Sequence, residues 1–176
     1  MLVFGEMTIF AVLFCTYAYY RGLRPELYLA SQETLSRSCG ALNTLLLLTS
    51  SWFVASGVHK ARSSAASRAG AWFASAWACG AAFAAVKAFE YHHLIKAGLT
   101  PASNEFYGFY FILTGLHLLH VLIGMIVLFF LWRATRVKVD RDGIRFVESG
   151  ATYWHMVDLL WVVLFPLLYL VRGVGA

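Results

Sequence analysis

Charge is what this chain has least of. Asp, Glu, Lys and Arg make up 13% of its 176 residues, where a soluble domain of ordinary composition carries about 25%. That shortage excludes a conventional water-soluble globule. Cysteine is confined to Cys15, Cys39 and Cys79, with no CxxC spacing. Two of them lie inside apolar runs and the third at the mouth of one, so neither a disulfide framework nor a zinc site is indicated. No HExxH motif occurs, and no Glu-x-x-His set accompanies His117 and His120. Internal repeats, low-complexity segments and a soluble domain are all missing. Residues 1–20 lack a basic n-region and a small-residue cleavage site, and Arg21 follows directly. They are expected to form a first membrane helix and not a cleaved signal peptide.

What is present is apolar length. The chain is 60% hydrophobic with a mean hydropathy of +0.68, and about 20 mostly apolar residues span a bilayer. Five such runs predict an all-α, polytopic membrane bundle of five transmembrane helices. Their bounds are about 1–20, 39–58, 70–94, 106–132 and 152–171, within a single transmembrane domain covering residues 1–176. The third run (AWFASAWACGAAFAA) is dense in small residues, which let helix backbones approach closely. It is expected inside the bundle. Pro166 is expected to kink the fifth run, as membrane helices tolerate. The connections read as short except for residues 133–150. That stretch reads as a solvated loop with a turn at Asp140-Arg141-Asp142-Gly143.

The formal charge of +5 reads as loop asymmetry, not as a nucleic-acid surface. Eight Lys and Arg fall on the side of the N-terminus and five on the other. The excess predicts a cytoplasmic N-terminus and a periplasmic C-terminus.

Ionisable side chains inside apolar runs are costly and mark either function or structure. Seven occur: Glu6, Lys87, Glu90, His117, His120, His155 and Asp158. His155 and Asp158 are i,i+3 neighbours on one helical face, as are His117 and His120, and Lys87 and Glu90. Glu6, His120, His155 and Asp158 fall at depths that permit one shared polar cluster. Asp158 is placed deeper than Glu90, so Asp158→Ala is expected to weaken folding more than Glu90→Ala. The two helical histidines lack the further ligands a metal site requires, and interhelical hydrogen bonding is the expected use. Lys87–Glu90 reads as a structural ion pair or a transport element, and Glu6 as a proton-handling group or a hydrogen-bonded carboxyl. His92 and His93 read as interfacial. Trp52, Trp132, Trp154, Trp161, Tyr17, Tyr19, Tyr20 and Tyr169 read as interface anchors or core.

Taken together, the motifs have a familiar order. Tyr153-Trp154-His155-Met156-Val157-Asp158 resembles the opening of the last helix of the cytochrome c oxidase subunit III family, the subunit III of haem-copper oxidases. Thr114-Gly115-Leu116-His117-Leu118-Leu119-His120 is similar to its penultimate helix. Lys87-Ala88-Phe89-Glu90-Tyr91 resembles the QAYEY-type end of the preceding helix, with Lys87 the departure. Gly5-Glu6-Met7 matches the family's carbodiimide-reactive membrane glutamate. The resemblance implies a shortened, five-helix form lacking the first two helices of the seven-helix type. The ending VESGATYWHMVDLLWVVLFPLLYLVR looks most like members associated with nitric oxide reductase.

The resemblance also implies a role. The chain would be an accessory subunit with no catalytic centre and no metal of its own, haem with copper or iron residing in the partner. Bound phospholipid fits the family. The implied partners are membrane lipids and the catalytic subunit of a haem-copper oxidase or nitric oxide reductase, in a bacterial cytoplasmic membrane, with no nucleic acid. Assembly, stability and proton uptake of the catalytic subunit are the implied contributions. Glu6, Glu90, His117, His120, His155 and Asp158 carry over as buried polar or proton-handling candidates. Two other readings compete: a small proton or solute transporter using Glu6, Lys87 and Glu90, and a membrane metalloenzyme built on His117, His120 and His155.

Overall fold

The computed structural model describes residues 2–62, 69–135 and 141–171. Among the described residues every regular element is helical. α1 is Leu2–Leu23, α2 Pro25–Glu33, α3 Arg37–Arg62, α4 Ala69–Lys96, α5 Glu105–Ala134 and α6 Arg141–Phe165, extended by a π-helical turn at Pro166–Leu170. Four helical stretches are long and apolar enough to cross a membrane: Arg37–Arg62, Ala69–Lys96, Glu105–Ala134 and Asp142–Leu170.

Two connections differ from the sequence-based expectation. Residues 25–33 form α2, a short helix with Pro25 at its first position, where the fixed φ of proline suits a helix start. Residues 141–150, expected to be loop, belong to α6. Arg141, Asp142 and Gly143 are therefore helical, and Asp140 lies outside the described residues. The extra turns are amphipathic. Val147, Gly150 and Ala151 are buried while Arg145, Phe146 and Glu148 are not, a helical spacing carried into water.

α3 and α4 pack most extensively, followed by α4 with α5, α5 with α6 and α3 with α6, so these four close into a bundle. Glycine permits the closest approaches. A Cβ on Gly124 would lie 2.7 Å from the Trp154 ring, and one on Gly80 would lie 2.9 Å from the same ring. Trp154 is thus wedged between α4 and α5. The residues with no accessible surface (among them Phe73, Phe83, Leu113, Trp154 and Trp161) line this interior, while large apolar side chains such as Leu45, Phe89 and Ile126 face outward. That inversion suits a lipid surround, which does not penalise an apolar exterior.

Pro166 has no N–H, so it breaks the α6 hydrogen-bond ladder. The π-turn closes with Val171 N–H donating to the Pro166 carbonyl at 2.9 Å. The terminal carbonyls are taken up from α1 and α2. Gln32 donates to Leu168 O at 3.0 Å, Tyr17 to Leu167 O at 3.3 Å, and Arg21 to Val171 O. Helix ends in an apolar setting need such partners, and these dock α1 and α2 onto the end of the bundle.

Candidate functional site

The most buried charges lie where α4 nears its end. Lys87 and Glu90 share one face of α4, and Lys87 Nζ sits 2.9 Å from Glu90 Oε2 with exposures of 0% and 5%. Two phenols complete the shell. Lys87 Nζ donates to Tyr110 Oη at 3.1 Å and to Tyr169 Oη at 2.9 Å, and Tyr169 O–H donates to Glu90 Oε1 at 2.8 Å. All three ammonium protons therefore have acceptors. Tyr110 and Trp161 rings lie 4.9 and 5.1 Å from the same nitrogen, adding cation–π attraction. A buried ion pair is tolerated only with its remaining hydrogen-bonding capacity satisfied, and this cluster meets that condition. A cleft of about 420 Å³ opens beside it, lined by Glu33, Thr34, Ser36, Cys39, Glu90 and His93 among others.

A second pair joins α1 to α5. His120 Nε2 lies 2.8 Å from Glu6 Oε2, and His120 Nδ1 lies 2.7 Å from the Leu116 carbonyl. A carbonyl only accepts, so Nδ1 carries a proton. Nε2 then either accepts from a protonated Glu6 or donates to its carboxylate. In both cases one proton resides in the contact and the pair has no net charge. Glu6 is 29% exposed against 6% for His120, so the open side of the pair is the carboxyl.

The shared cluster that the depths of Glu6, His120, His155 and Asp158 permit is divided in the structure. Glu6 and His120 meet each other. His155 Nδ1 instead pairs with Ser51 Oγ on α3 at 2.7 Å. Asp158 is buried, and neither carboxylate oxygen is within hydrogen-bond geometry of a protein partner; Ser51, whose hydroxyl meets His155 Nδ1 at 2.7 Å, lies close to it. His117 is fully buried between the rings of Phe83 and Trp161, at 5.7 and 5.3 Å between centroids. Both its nitrogens lack protein partners. His92 and His93 are exposed at the end of α4.

Among the described residues no group of three or more His, Cys, Asp and Glu is placed to hold a metal ion. His117 and His120 contact different neighbours and do not converge on a common point. What the arrangement can do is hold buried charges in pairs of no net charge and exchange single protons within them.

Sequence reasoning did not single out Tyr110 and Ser51, and it read Tyr169 as an anchor or core aromatic. Their roles depend on which residues stand level on neighbouring helices, and one chain's periodicity does not encode that register. Trp154 and Trp161 are core, whereas Trp52 and Tyr19 face outward.

The comparisons with known proteins cover nearly the whole chain. The family described as "Cytochrome c oxidase subunit III" matches residues 1–172. The chain is 34% identical over 168 residues to "Cytochrome c oxidase subunit 3" of Synechocystis sp., covering 94% of this chain and 71% of that protein. It is 30% identical over 175 residues to "Probable cytochrome c oxidase subunit 3" of Nocardia farcinica, covering 96% and 83%. It is 31% identical over 131 residues to "Cytochrome bo(3) ubiquinol oxidase subunit 3" of Pseudomonas aeruginosa, covering 73% and 62%. On the match across nearly its whole length, the chain belongs to the cytochrome c oxidase subunit III family.

Proposed function

We propose that this chain is the non-catalytic, accessory subunit III of a haem-copper oxidase, embedded beside the catalytic subunit that carries the metal chemistry. One observation carries the accessory reading beyond family membership. Lys87, His120 and the half-buried His155 are spent on acids or hydroxyls, Lys87 on Glu90 and two tyrosines, His120 on Glu6 and His155 on Ser51, while His117 sits between the rings of Phe83 and Trp161. Such pairs hold helices together and hold protons; they do not converge on a substrate.

The transporter reading is disfavoured by the same geometry. Lys87 and Glu90 are locked by four polar contacts and stand apart from Glu6, which meets His120.

Within this proposal α1 is the fifth span, placing the N-terminus in the cytoplasm and the C-terminus in the periplasm of a bacterial inner membrane. Lipid fills the apolar grooves of the exterior, such as the one lined by Ala74, Trp77, Phe129 and Trp132. The Glu6–His120 pair supports proton uptake by the partner through its exposed carboxyl. The C-terminal motif favours a nitric oxide reductase as a second candidate partner.

The test is retrieval of the tagged chain from its own membranes in mild detergent, followed by haem spectroscopy and peptide identification. A co-purifying haem-containing catalytic subunit is expected, and its consumption of oxygen or nitric oxide distinguishes the two partners. Recovery of the chain with no haem protein would overturn the proposal.

A further inference from the structure

Among the described residues, three side chains in the middle of the bundle have both polar atoms buried without a protein hydrogen-bond partner: Asn43 on α3, His117 on α5 and Asp158 on α6. Each leaves two polar atoms unsatisfied. Such a group is costly when left dry, and three together would consume much of a domain's stability.

The helix register places them close in height. Trp161 Nε1 donates to Thr44 Oγ1 at 3.1 Å, which sets Asn43 level with Trp161. The His117 ring lies 5.3 Å from the Trp161 ring, which sets His117 at that level too. Asp158 is one turn of α6 away, and His120 one turn of α5 away in the same direction, because α5 and α6 run antiparallel with Gly124 against Trp154. In the other direction Lys87 Nζ sits 5.1 Å from the Trp161 ring. The three unsatisfied side chains therefore occupy the levels between the Glu6–His120 pair and the Lys87–Glu90 cluster. A polar site with several donors and acceptors is where buried water binds; an apolar void of similar size stays dry.

We propose that Asn43, His117 and Asp158 form an internal water-binding site, so that a short file of bound water lies between the two paired clusters. The ligand is water itself, held by an amide, an imidazole and a carboxyl from three helices. The cleft beside Glu90, lined by Cys39 one turn before Asn43 on α3, is the route of exchange with bulk. The file gives the protons of both pairs an exchangeable neighbour inside an otherwise apolar bundle.

Phe83 and Phe73 provide a matched comparison. Both have no accessible surface. Phe83 contacts His117 and Trp161, whereas Phe73 packs against the position of Gly57. Brief radiolysis of the full chain in its membrane complex generates hydroxyl radicals from local water, and mass spectrometry reads the side chains they oxidise. Phe83 and Trp161 are expected to be labelled and Phe73 not. Asn43→Leu combined with His117→Phe should remove the label from Phe83, while Asp158→Asn, which keeps two polar atoms, should retain it. If the double variant fails to fold, the wild-type contrast between Phe83 and Phe73 still decides. Equal, background labelling of the two phenylalanines would overturn the proposal, as would a Phe83 label that survives in a folded double variant.

Discussion

His120 Nε2 and Glu6 Oε2 stand 2.8 Å apart, and the Leu116 carbonyl on the other ring nitrogen requires that the contact hold a proton. The pair is a polar tie between α1 and α5, which otherwise meet through rings such as Phe10 on His120 and Tyr17 on Phe109. Glu6→Gln keeps a donor for Nε2 and should leave α1 docked. Glu6→Leu strands His120 and should cost about 1–3 kcal/mol. Thermal unfolding of the purified chain, read beside protease sensitivity of α1, separates the two. Equal stability of both variants would mean that the contact contributes nothing.

Lys87 and Glu90 should behave as a unit. Removing either partner of a buried ion pair costs about 3–5 kcal/mol, because the other is left uncompensated. Lys87→Met and Glu90→Gln should each destabilise strongly, and the double variant should recover much of the loss. A double-mutant cycle by chemical denaturation measures the coupling; strictly additive losses would show that the two charges are independent.

Hydrogen bonding and depth rank Asp158 and Glu90 in opposite orders. Depth alone predicts Asp158→Ala to be the more damaging. Glu90 makes hydrogen bonds to Lys87 and Tyr169, while Asp158 makes none to protein. Glu90→Ala should therefore lower the unfolding temperature more than Asp158→Ala. The opposite order in a thermal-shift experiment would restore depth as the deciding factor.

The legible part of this fold was the part written in apolar length. The cores of the four long spans were readable because a run of about 20 apolar residues has few other uses. α2 was not, since Pro25–Glu33 carries no such run and gains its place by capping the end of α6 through Gln32. The start of α6 was hidden by charged residues that a helix emerging into water readily carries. Within the site, the Lys87–Glu90 pairing followed from i,i+3 spacing. The division of the polar cluster that the depths permit did not, because Ser51 on α3 captures His155, and only the register of α3 against α6 brings them together.

Trp154 gives a packing prediction. A methyl at Gly124 would approach its ring to 2.7 Å, whereas one at Gly5 meets nothing within 4 Å. Gly124→Ala should destabilise by about 1–3 kcal/mol through overpacking. Gly5→Ala should be neutral or favourable by up to about 1 kcal/mol, the helix-propensity gain. Denaturation midpoints for the two variants provide the check, and equal midpoints would contradict the wedge described for Trp154.

The central claim is that the redox chemistry belongs to a neighbour and that this chain supports it from outside. The most direct measurement strips the chain from the purified complex and follows haem content and initial turnover per haem in what remains. The account predicts an unchanged haem spectrum and substantial initial turnover, with losses confined to assembly, durability or proton supply. Departure of haem or metal together with this chain would contradict it.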